Sequence, residues 1–233
     1  LKVDTIQDAD GNNIINENSN AVTIGKAADT VSIPGSATLG ASGKTITIPS
    51  GCTLTNSGTA TGFGGTTFLY ATSGSSASSV SVSSTYITTT HDLYLIFLSG
   101  KMGTDNANIK GQFLDSGGSA VASNYKINSS RIGGSDDFSG VSTYFDLNNV
   151  NGIGNDANEG FNVVGYLQNP TSNTITTSFD GIINYSTTSD SSRAESFSCK
   201  RADGTEQHYG ITFYPNSGTF AEIKISVHGI NKT

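Results

Sequence analysis

The sequence predicts an all-β protein: an N-terminal β-hairpin, a short β-repeat shaft and a C-terminal antiparallel β-sandwich head of jelly-roll-like type. Apolar residues make up only 34% of the 233 residues and charged residues 13%, and Gly, Ser, Thr and Asn take their place. No segment carries apolar residues at the i, i+3, i+4 spacing of an amphipathic helix. The stretches with regular patterns are rich in Val, Ile, Thr, Tyr and Phe, which favour strands.

The first element, over residues 1–20, is a predicted β-hairpin. Val3–Gln7 and Ile14–Asn16 are the strand candidates, and Asp8–Asn12 forms the turn between them. The turn also has the composition of a calcium loop. However, Gly11 stands at the fourth place rather than the sixth, and Ser19 occupies the twelfth place, where an acid is required. We therefore expect a hairpin and no metal.

Residues 21–65 contain a repeat. The pattern that starts at Ile24 recurs at Leu39, 15 residues later, and a fading third copy starts at Leu54. In the full copies an apolar residue precedes a glycine-containing turn, and a strand of alternating apolar and polar residues then ends at a proline. The expected core positions of this β-repeat shaft are Val22, Ile24, Val31, Ile33, Leu39, Ile46, Ile48 and Leu54.

One copy of the repeat is too small to be stable by itself. Each copy offers about three or four aliphatic side chains, worth roughly 1.5 to 3 kcal/mol apiece when fully buried. Ordering the backbone costs roughly 1 to 2 kcal/mol per residue. We therefore expect the apolar faces to pack against those of other copies of the chain. A homotrimer is the common arrangement for such a shaft.

The repeat also contains Gly43-Lys44-Thr45, which matches the end of a phosphate-binding loop. The full motif needs a glycine five residues before Gly43, and Thr38 stands there. The preceding copy has Ala28-Asp29-Thr30 at the equivalent place, and no helix is predicted to follow. The tripeptide is a turn of the repeat, and no nucleotide or other cofactor is expected.

A head domain is predicted over residues 66–233, where the strands become longer and richer in aromatic residues. Its last two strands show the clearest alternation, and the turn Pro215–Gly218 between them predicts a closing hairpin. Eight strands are expected in the head, at residues 92–99, 109–115, 143–147, 161–167, 175–185, 195–200, 208–214 and 220–228.

Charge and composition narrow the expected partners. The net charge is −7 with a pI near 4.7, and Lys and Arg form no cluster, so nucleic acid is not expected. The longest apolar stretch, Leu93–Leu98, is far shorter than a membrane span, so no membrane insertion is expected. Cys52 and Cys199 are expected to be free, buried thiols.

No constellation in the sequence indicates catalysis. His91, His208 and His228 lack the spacing of metal ligands, and no G-x-S-x-G elbow occurs. The acids that could form a glycosidase pair lie in Gly- and Asn-rich segments that indicate solvated loops: Asp136, Asp137, Asp146, Asp156 and Glu159. We expect no catalytic residues, no metal and no enzyme activity.

The same loops carry side chains suited to a glycan. Planar amide and carboxylate groups bond sugar hydroxyls, and aromatic rings pack against sugar rings. The candidate ligand-binding residues are Arg131, Asp136, Asp137, Tyr144, Asn155 and Asp156. The alternative is that these residues cap turns and contact sister chains.

Several stretches resemble structural proteins of tailed bacteriophages, particularly marine phages. "LKVDTIQDADGNNIINENSNAVTIG" and "TITIPSGCTLTNSGTATGFG" resemble the N-terminal part of tail-fibre and other virion proteins. "ITFYPNSGTFAEIKISVHGI" resembles the closing hairpin of their C-terminal β-sandwich heads, and "DLYLIFLSGKM" with "GQFLDSGGSAV" resembles two earlier strands. Together these stretches cover about half of the chain.

The resemblance implies a homotrimeric protein of the virion surface, either a tail fibre, a capsid fibre or a decoration protein. It implies that the N-terminus attaches to other virion proteins and that the head faces outward, towards a host-surface polysaccharide. With two or three repeats the shaft is very short. The alternatives are a carbohydrate-binding module and, third in order, a glycan-degrading spike.

Overall fold

The computed structural model describes residues 66–133, 137–149, 151–201 and 206–230. The chain divides into two units, Leu1–Thr59 and Ala60–Thr233, and all described residues belong to the second. The predicted hairpin of residues 1–20, the predicted shaft of residues 21–65 with its eight core positions, and Cys52 lie outside the described residues.

The described residues form β-strands and no helix, which confirms the predicted all-β class. In this part of the chain there is accordingly no helix long and apolar enough to cross a membrane. The strands are β1 Thr66–Ala77, β2 Val80–Val82, β3 Leu93–Met102, β4 Ile109–Leu114, β5 Tyr125–Arg131, β6 Asp137–Ser142, β7 Phe145–Asp146, β8 Phe161–Gln168, β9 Ser178–Ser186, β10 Ser192–Arg201, β11 Gly210–Pro215 and β12 Phe220–Ile230.

These strands form two antiparallel sheets. The large sheet has eight strands in the order β1-β12-β3-β8-β9-β10-β5-β6, and the small sheet has four in the order β2-β11-β4-β7. The long first strand of the head, β1, is therefore an edge strand that pairs with the last one, β12, along most of its length.

The alternation of side chains along β8 shows how the large sheet acquires two faces. Phe161 and Val163 are buried, whereas Asn162 and Val164 are exposed. Successive side chains of a strand point to opposite faces. The first pair therefore faces the core, and the second pair lies on the face turned away from it, which we call the outer face.

Aromatic rings connect the two sheets in the core. Phe179 of β9 lies 5.6 Å from Phe213 of β11 and 5.9 Å from Phe145 of β7, measured between ring centroids. All three side chains are fully buried. Since β9 belongs to the large sheet and β7 and β11 belong to the small one, a single aromatic cluster stabilises both sheets.

The predicted closing hairpin is wrong, because β11 and β12 lie in different sheets. The turn after Pro215 is present, with Gly218 at φ +69°, but it carries the chain from the small sheet to the large one. Ile211 of β11 and Ile225 of β12 both belong to the buried core. Alternation showed correctly that each strand has one apolar face. It could not show whether two such strands pair side by side or pack across a core.

Cys199 is a free, buried cysteine, as predicted for this residue. It lies on β10, and burial raises the pKa of its thiol well above the usual value. The thiol therefore stays protonated at neutral pH and packs as a small apolar group.

Candidate functional site

Large apolar side chains are exposed on the outer face of the large sheet. Among the described residues, seven large apolar side chains are exposed, and five of them lie on this face with exposed fractions between 40% and 62%. We call these five the apolar band. They are Phe68, Phe97, Val164, Tyr166 and Ile182.

The band is contiguous because its members lie on neighbouring strands. Phe97 of β3 pairs in register with Val164 of β8, which pairs with Ile182 of β9. His228 of β12 links Phe68 to this row, since its ring lies 5.5 Å from Phe68 and 5.8 Å from Phe97 in edge-on contacts. The exposed rings and aliphatic groups thus form one surface that crosses five strands.

The exposed fractions of the five side chains give the size of the band. With about 200 Å² per aromatic side chain and slightly less per aliphatic one, the exposed fractions correspond to about 400 Å² of apolar surface. None of the five side chains carries a charge, although the chain as a whole has a net charge of −7. The largest apolar patch of a typical monomer covers about 300 to 600 Å² and often serves a function, so the band is a candidate interaction surface.

A polar groove borders the band towards the C-terminal end of β3. It is a cavity of about 600 Å³, and we define it by the side chains of Ser99, Lys101, Asn158, Asn162, Glu222 and Lys224. A smaller apolar depression of about 460 Å³ lies between band and groove, lined by Phe97 of the band and by Ser99 and Lys224 of the groove.

On β9, beyond the band, Asp180 collects hydrogen bonds. Its carboxylate accepts them from Gln168 Nε2 at 2.9 Å, from Ser178 Oγ at 2.7 Å and from the hydroxyl of Ser198. Asp180 is the register partner of Tyr166 in the band. The carboxylate is held by its neighbours, so this part of the outer face is an ordered polar margin of the band.

The residues predicted to bind a ligand do not form one cluster. Arg131 ends β5 and lies opposite Glu195 of β10. Asn155 and Asp156 precede β8, which is three strand spacings, or about 14 Å, from β5 across the sheet. Of these, only the pair before β8 adjoins the polar groove, through the segment 157–160 that lines it.

Tyr144 lies elsewhere, beside the small sheet. The Lys110 ammonium of β4 sits 3.4 Å from the centroid of the Tyr144 ring, a cation–π contact. Asp137 begins β6, and its side chain is not described. Asp136 lies outside the described residues. A ligand role for these residues stays a prediction.

Two of the loop acids turn inward. Glu159 is 5% exposed, and its Oε2 accepts a hydrogen bond from the backbone N–H of Asp156 at 2.6 Å. Asp146 is 9% exposed, on β7. Burial raises the pKa of Asp146 to about 6, and the charge of its register partner Lys110 opposes this rise. Glu159 therefore stabilises its own loop, whereas Asp146 lies opposite Lys110 of the neighbouring strand β4.

A third buried carboxylate, that of Glu195, lies on β10. Glu195 is fully buried, accepts a hydrogen bond from the Tyr185 hydroxyl, and accepts another from the backbone N–H of Asn149 at 2.9 Å. Burial, followed by the contact with Glu195, raises the pKa of Tyr185. The Glu195 carboxylate thus connects the segment after β7 to the large sheet. Both Glu195 and Tyr185 are buried.

In the described ranges, no group of three or more His, Cys, Asp or Glu side chains is arranged to hold a metal ion. Comparison of the chain with protein-family models, with curated proteins and with solved structures found no match. Function is therefore inferred from the residues and their geometry.

The sequence reasoning missed both the band and the groove. A signal for the band was present, because Val163-Val164 on β8 and Ile182-Ile183 on β9 place apolar residues on both faces of their strands. The groove had no such signal, since its residues come from β3, β12, the start of β8 and the segment before β8, and they meet only in the folded sheet.

Proposed function

We propose that the protein is a non-enzymatic structural protein of a virion surface. In this proposal it is a homotrimer with an N-terminal hairpin that docks on other virion proteins, a short β-repeat shaft, and a jelly-roll-like β-sandwich head that faces outward. The observation that carries self-association in the head is the apolar band.

The band has the properties of an interface between identical subunits. A standard protein interface buries about 800 Å² per partner, and its buried centre is more apolar than its rim. An apolar centre of about 400 Å² with a polar margin of similar area reaches that size. The absence of charge from the band also matters, because two copies of an acidic chain can meet there without opposing like charges.

The number of subunits is inferred from the repeats of residues 21–65. These copies have too few apolar side chains to offset the ordering of their backbone, and three chains around an axis solve that problem for a narrow shaft. In the head, Phe68 near the start of β1 is the first residue of the band.

Native mass measurement on the full chain tests self-association. We expect a trimer at micromolar concentration, and a monomer would refute the proposal. The double variant Val164→Glu with Ile182→Glu adds charge at two register neighbours of the band, and we expect dissociation at a concentration at least tenfold higher than for the wild type. Asn128→Glu is the matched control, because Asn128 is exposed on the same face of β5, outside the band.

Two further experiments test the virion role. Deletion of residues 1–20 is expected to abolish attachment to virions while the head keeps its thermal transition. Incubation with a host-surface polysaccharide is expected to release no new reducing ends. Release of reducing ends would instead favour a glycan-degrading spike.

A second candidate function is carbohydrate binding as an isolated module. The polar groove on the outer face favours it, because a cavity lined by charged and amide side chains suits a hydroxyl-rich ligand. In this case a monomer would bind saccharide without forming an assembly, so the same mass measurement separates the two functions.

A further inference from the structure

We propose that the polar groove binds a neutral saccharide chain through its hydroxyl groups. The inference deepens the proposed function by giving the displayed head a specific binding site, and it rests on that function only for its biological purpose. The binding itself depends on the groove alone.

The floor of the groove is made of backbone, because two glycines let the chain segments approach closely. A Cβ added to Gly100 would collide with the backbone oxygen of Glu222, where the register of β12 shifts against β3. A Cβ added to Gly160 would lie 2.9 Å from the backbone oxygen of Gly100. The closely packed backbone forms the floor, and the side chains that alternate to the outer face on either side of it leave a cavity of about 600 Å³.

The walls of the groove carry side chains with unused hydrogen-bonding capacity. Within the described part of the chain, no hydrogen bond or ion pair engages the side chains of Lys101, Asn162, Glu222 or Lys224. The Nδ2 of Asn158 donates to Asp190 Oδ1 at 3.0 Å, which leaves the amide oxygen of Asn158 as an acceptor. The groove therefore offers donors and acceptors together.

The charges in the groove favour a neutral ligand over an ion. Lys101 and Lys224 supply two ammonium groups, and Glu222 supplies one exposed carboxylate. The neighbouring acids are engaged: Glu159 with its own loop and Asp190 with Asn158. The carboxylates would repel a small anion, and the two ammonium groups would repel a cation. The groove therefore has no uniformly positive or uniformly negative region for an ion.

Sugar hydroxyls match such a mixture because each can donate and accept. Hydrogen bonds from ammonium groups and to carboxylates are the stronger kind, and amide side chains can bond two neighbouring hydroxyls. The cavity volume lies within the range of about 300 to 1,000 Å³ that is typical of small-ligand sites. A stretch of two or three sugar rings is the ligand of this chemistry and size.

The groove and the band can work at the same time. Ser99 and Lys224 of the groove lie one register step of two residues, or about 7 Å, from Phe97 and Ser226 along β3 and β12. In this arrangement the polar margin buried with the band is the one around Asp180, so subunits that meet through the band leave the groove open at the opposite edge of their interface. A trimer would thus present three grooves, and multivalent attachment would strengthen weak individual contacts.

The test uses the full chain and a defined set of polysaccharides immobilised on a sensor surface. The neutral probes are dextran, mannan and galactan, and the acidic probe is alginate. We expect the wild type to bind at least one neutral probe, with little change between low and high salt. The double variant Asn162→Ala with Lys224→Ala is expected to weaken that binding at least tenfold. Lys126→Ala with Asn128→Ala, exposed on β5 of the same face, is the matched control and should leave it unchanged.

Three results would overturn the proposal: no binding to any neutral probe, unchanged binding by the groove variant, or binding to alginate alone that disappears at high salt. The native mass of each variant is measured in the same samples. A wild-type monomer that binds saccharide through the groove would refute the proposed trimer and leave this inference standing. A trimer that binds none of the neutral probes would do the reverse.

Discussion

Acid should destabilise the head domain through His208. The imidazole is fully buried, and its ring centroid lies 5.0 Å from that of Phe113. Nδ1 lies 2.9 Å from Thr177 Oγ1, whereas Nε2 has no hydrogen-bond partner in the described structure. Burial lowers the pKa of His208 from 6.5 to about 4, because an imidazolium loses its hydration in the core. The Glu206 carboxylate, 3.8 Å from Nε2, opposes this effect without cancelling it.

The size of the effect follows from the two pKa values. The unfolded chain takes up a proton at His208 as the pH falls through 6.5, but the folded chain does so only near pH 4. The stability that a neutral His208 provides is therefore complete above pH 6.5 and is lost between pH 6.5 and 4. The difference of about 2.5 pKa units corresponds to about 3 kcal/mol, of which about 2 kcal/mol is lost by pH 5.

Urea unfolding of the wild type and of His208→Gln at pH 7, 6 and 5 measures this contribution. Glutamine has no ionisable group, so the free energy of unfolding of the variant should fall less with acid. We expect the variant to gain about 2 kcal/mol relative to the wild type between pH 7 and 5. His228→Gln, on the outer face, controls for the loss of a histidine elsewhere. If the wild type and His208→Gln show parallel pH dependence, the reasoning is refuted.

Three other substitutions test the packing and the charges. Asp146 has a pKa raised from 3.8 to about 6, so its ionisation in the folded protein costs about 3 kcal/mol at pH 7. Asp146→Asn should therefore raise the free energy of unfolding, measured with urea at pH 7. This gain should vanish below pH 4, where the carboxyl group is protonated in both states. Gly218→Ala should lower the melting temperature more than Gly118→Ala, since both have positive φ but only the first meets a neighbouring side chain. Gly165→Ala places a Cβ against the Phe179 ring and should cost about 1 to 3 kcal/mol in urea unfolding; a change below 0.5 kcal/mol would show that the ring moves freely.

The strands that the sequence predicted well are those with one buried face. β8 alternates buried and less buried residues along its whole length, and β12 does so from Glu222 onward. The predicted positions of both strands agree with the structure within two residues. β1 was not predicted because it is an edge strand with little burial, and its segment "TTFLYATSGSSA" has the Gly and Ser content of a loop. Its strand conformation depends on pairing with β12, which is distant in sequence.

Pairing between strands was the part of the fold that alternation could not supply. Pattern alone gives a strand an inner and an outer face, but β11 and β12 satisfy the same pattern in two separate sheets. The choice depends on the core, where Phe179, Phe145 and Phe213 join the sheets. Such contacts join residues far apart in sequence, so no local window contains them.

The sequence contains a signal for the apolar band but none for the polar groove. The run Leu93–Leu98 on β3 is continuously apolar, and such a run indicates a strand covered on both faces. Since only one face of β3 meets the core, the second apolar face needs another partner. The groove, in contrast, requires the register between β3 and β12 and the close approach at Gly100, and these features belong to the folded sheet.

Net charge and the uncharged band together explain why one face would serve both assembly and binding. Copies of a chain with charge −7 repel one another, and salt at physiological strength screens that repulsion only beyond about 8 Å. Salt does not screen repulsion between charges that are closer than this distance. Contact through uncharged side chains avoids that short-range repulsion. In the proposed assembly the charged residues would remain at the margin, where Lys101, Lys224 and Glu222 would keep their hydration until a ligand replaced it. An antiparallel sheet holds both regions in fixed register, so the proposed assembly through the band would also fix the spacing of the grooves.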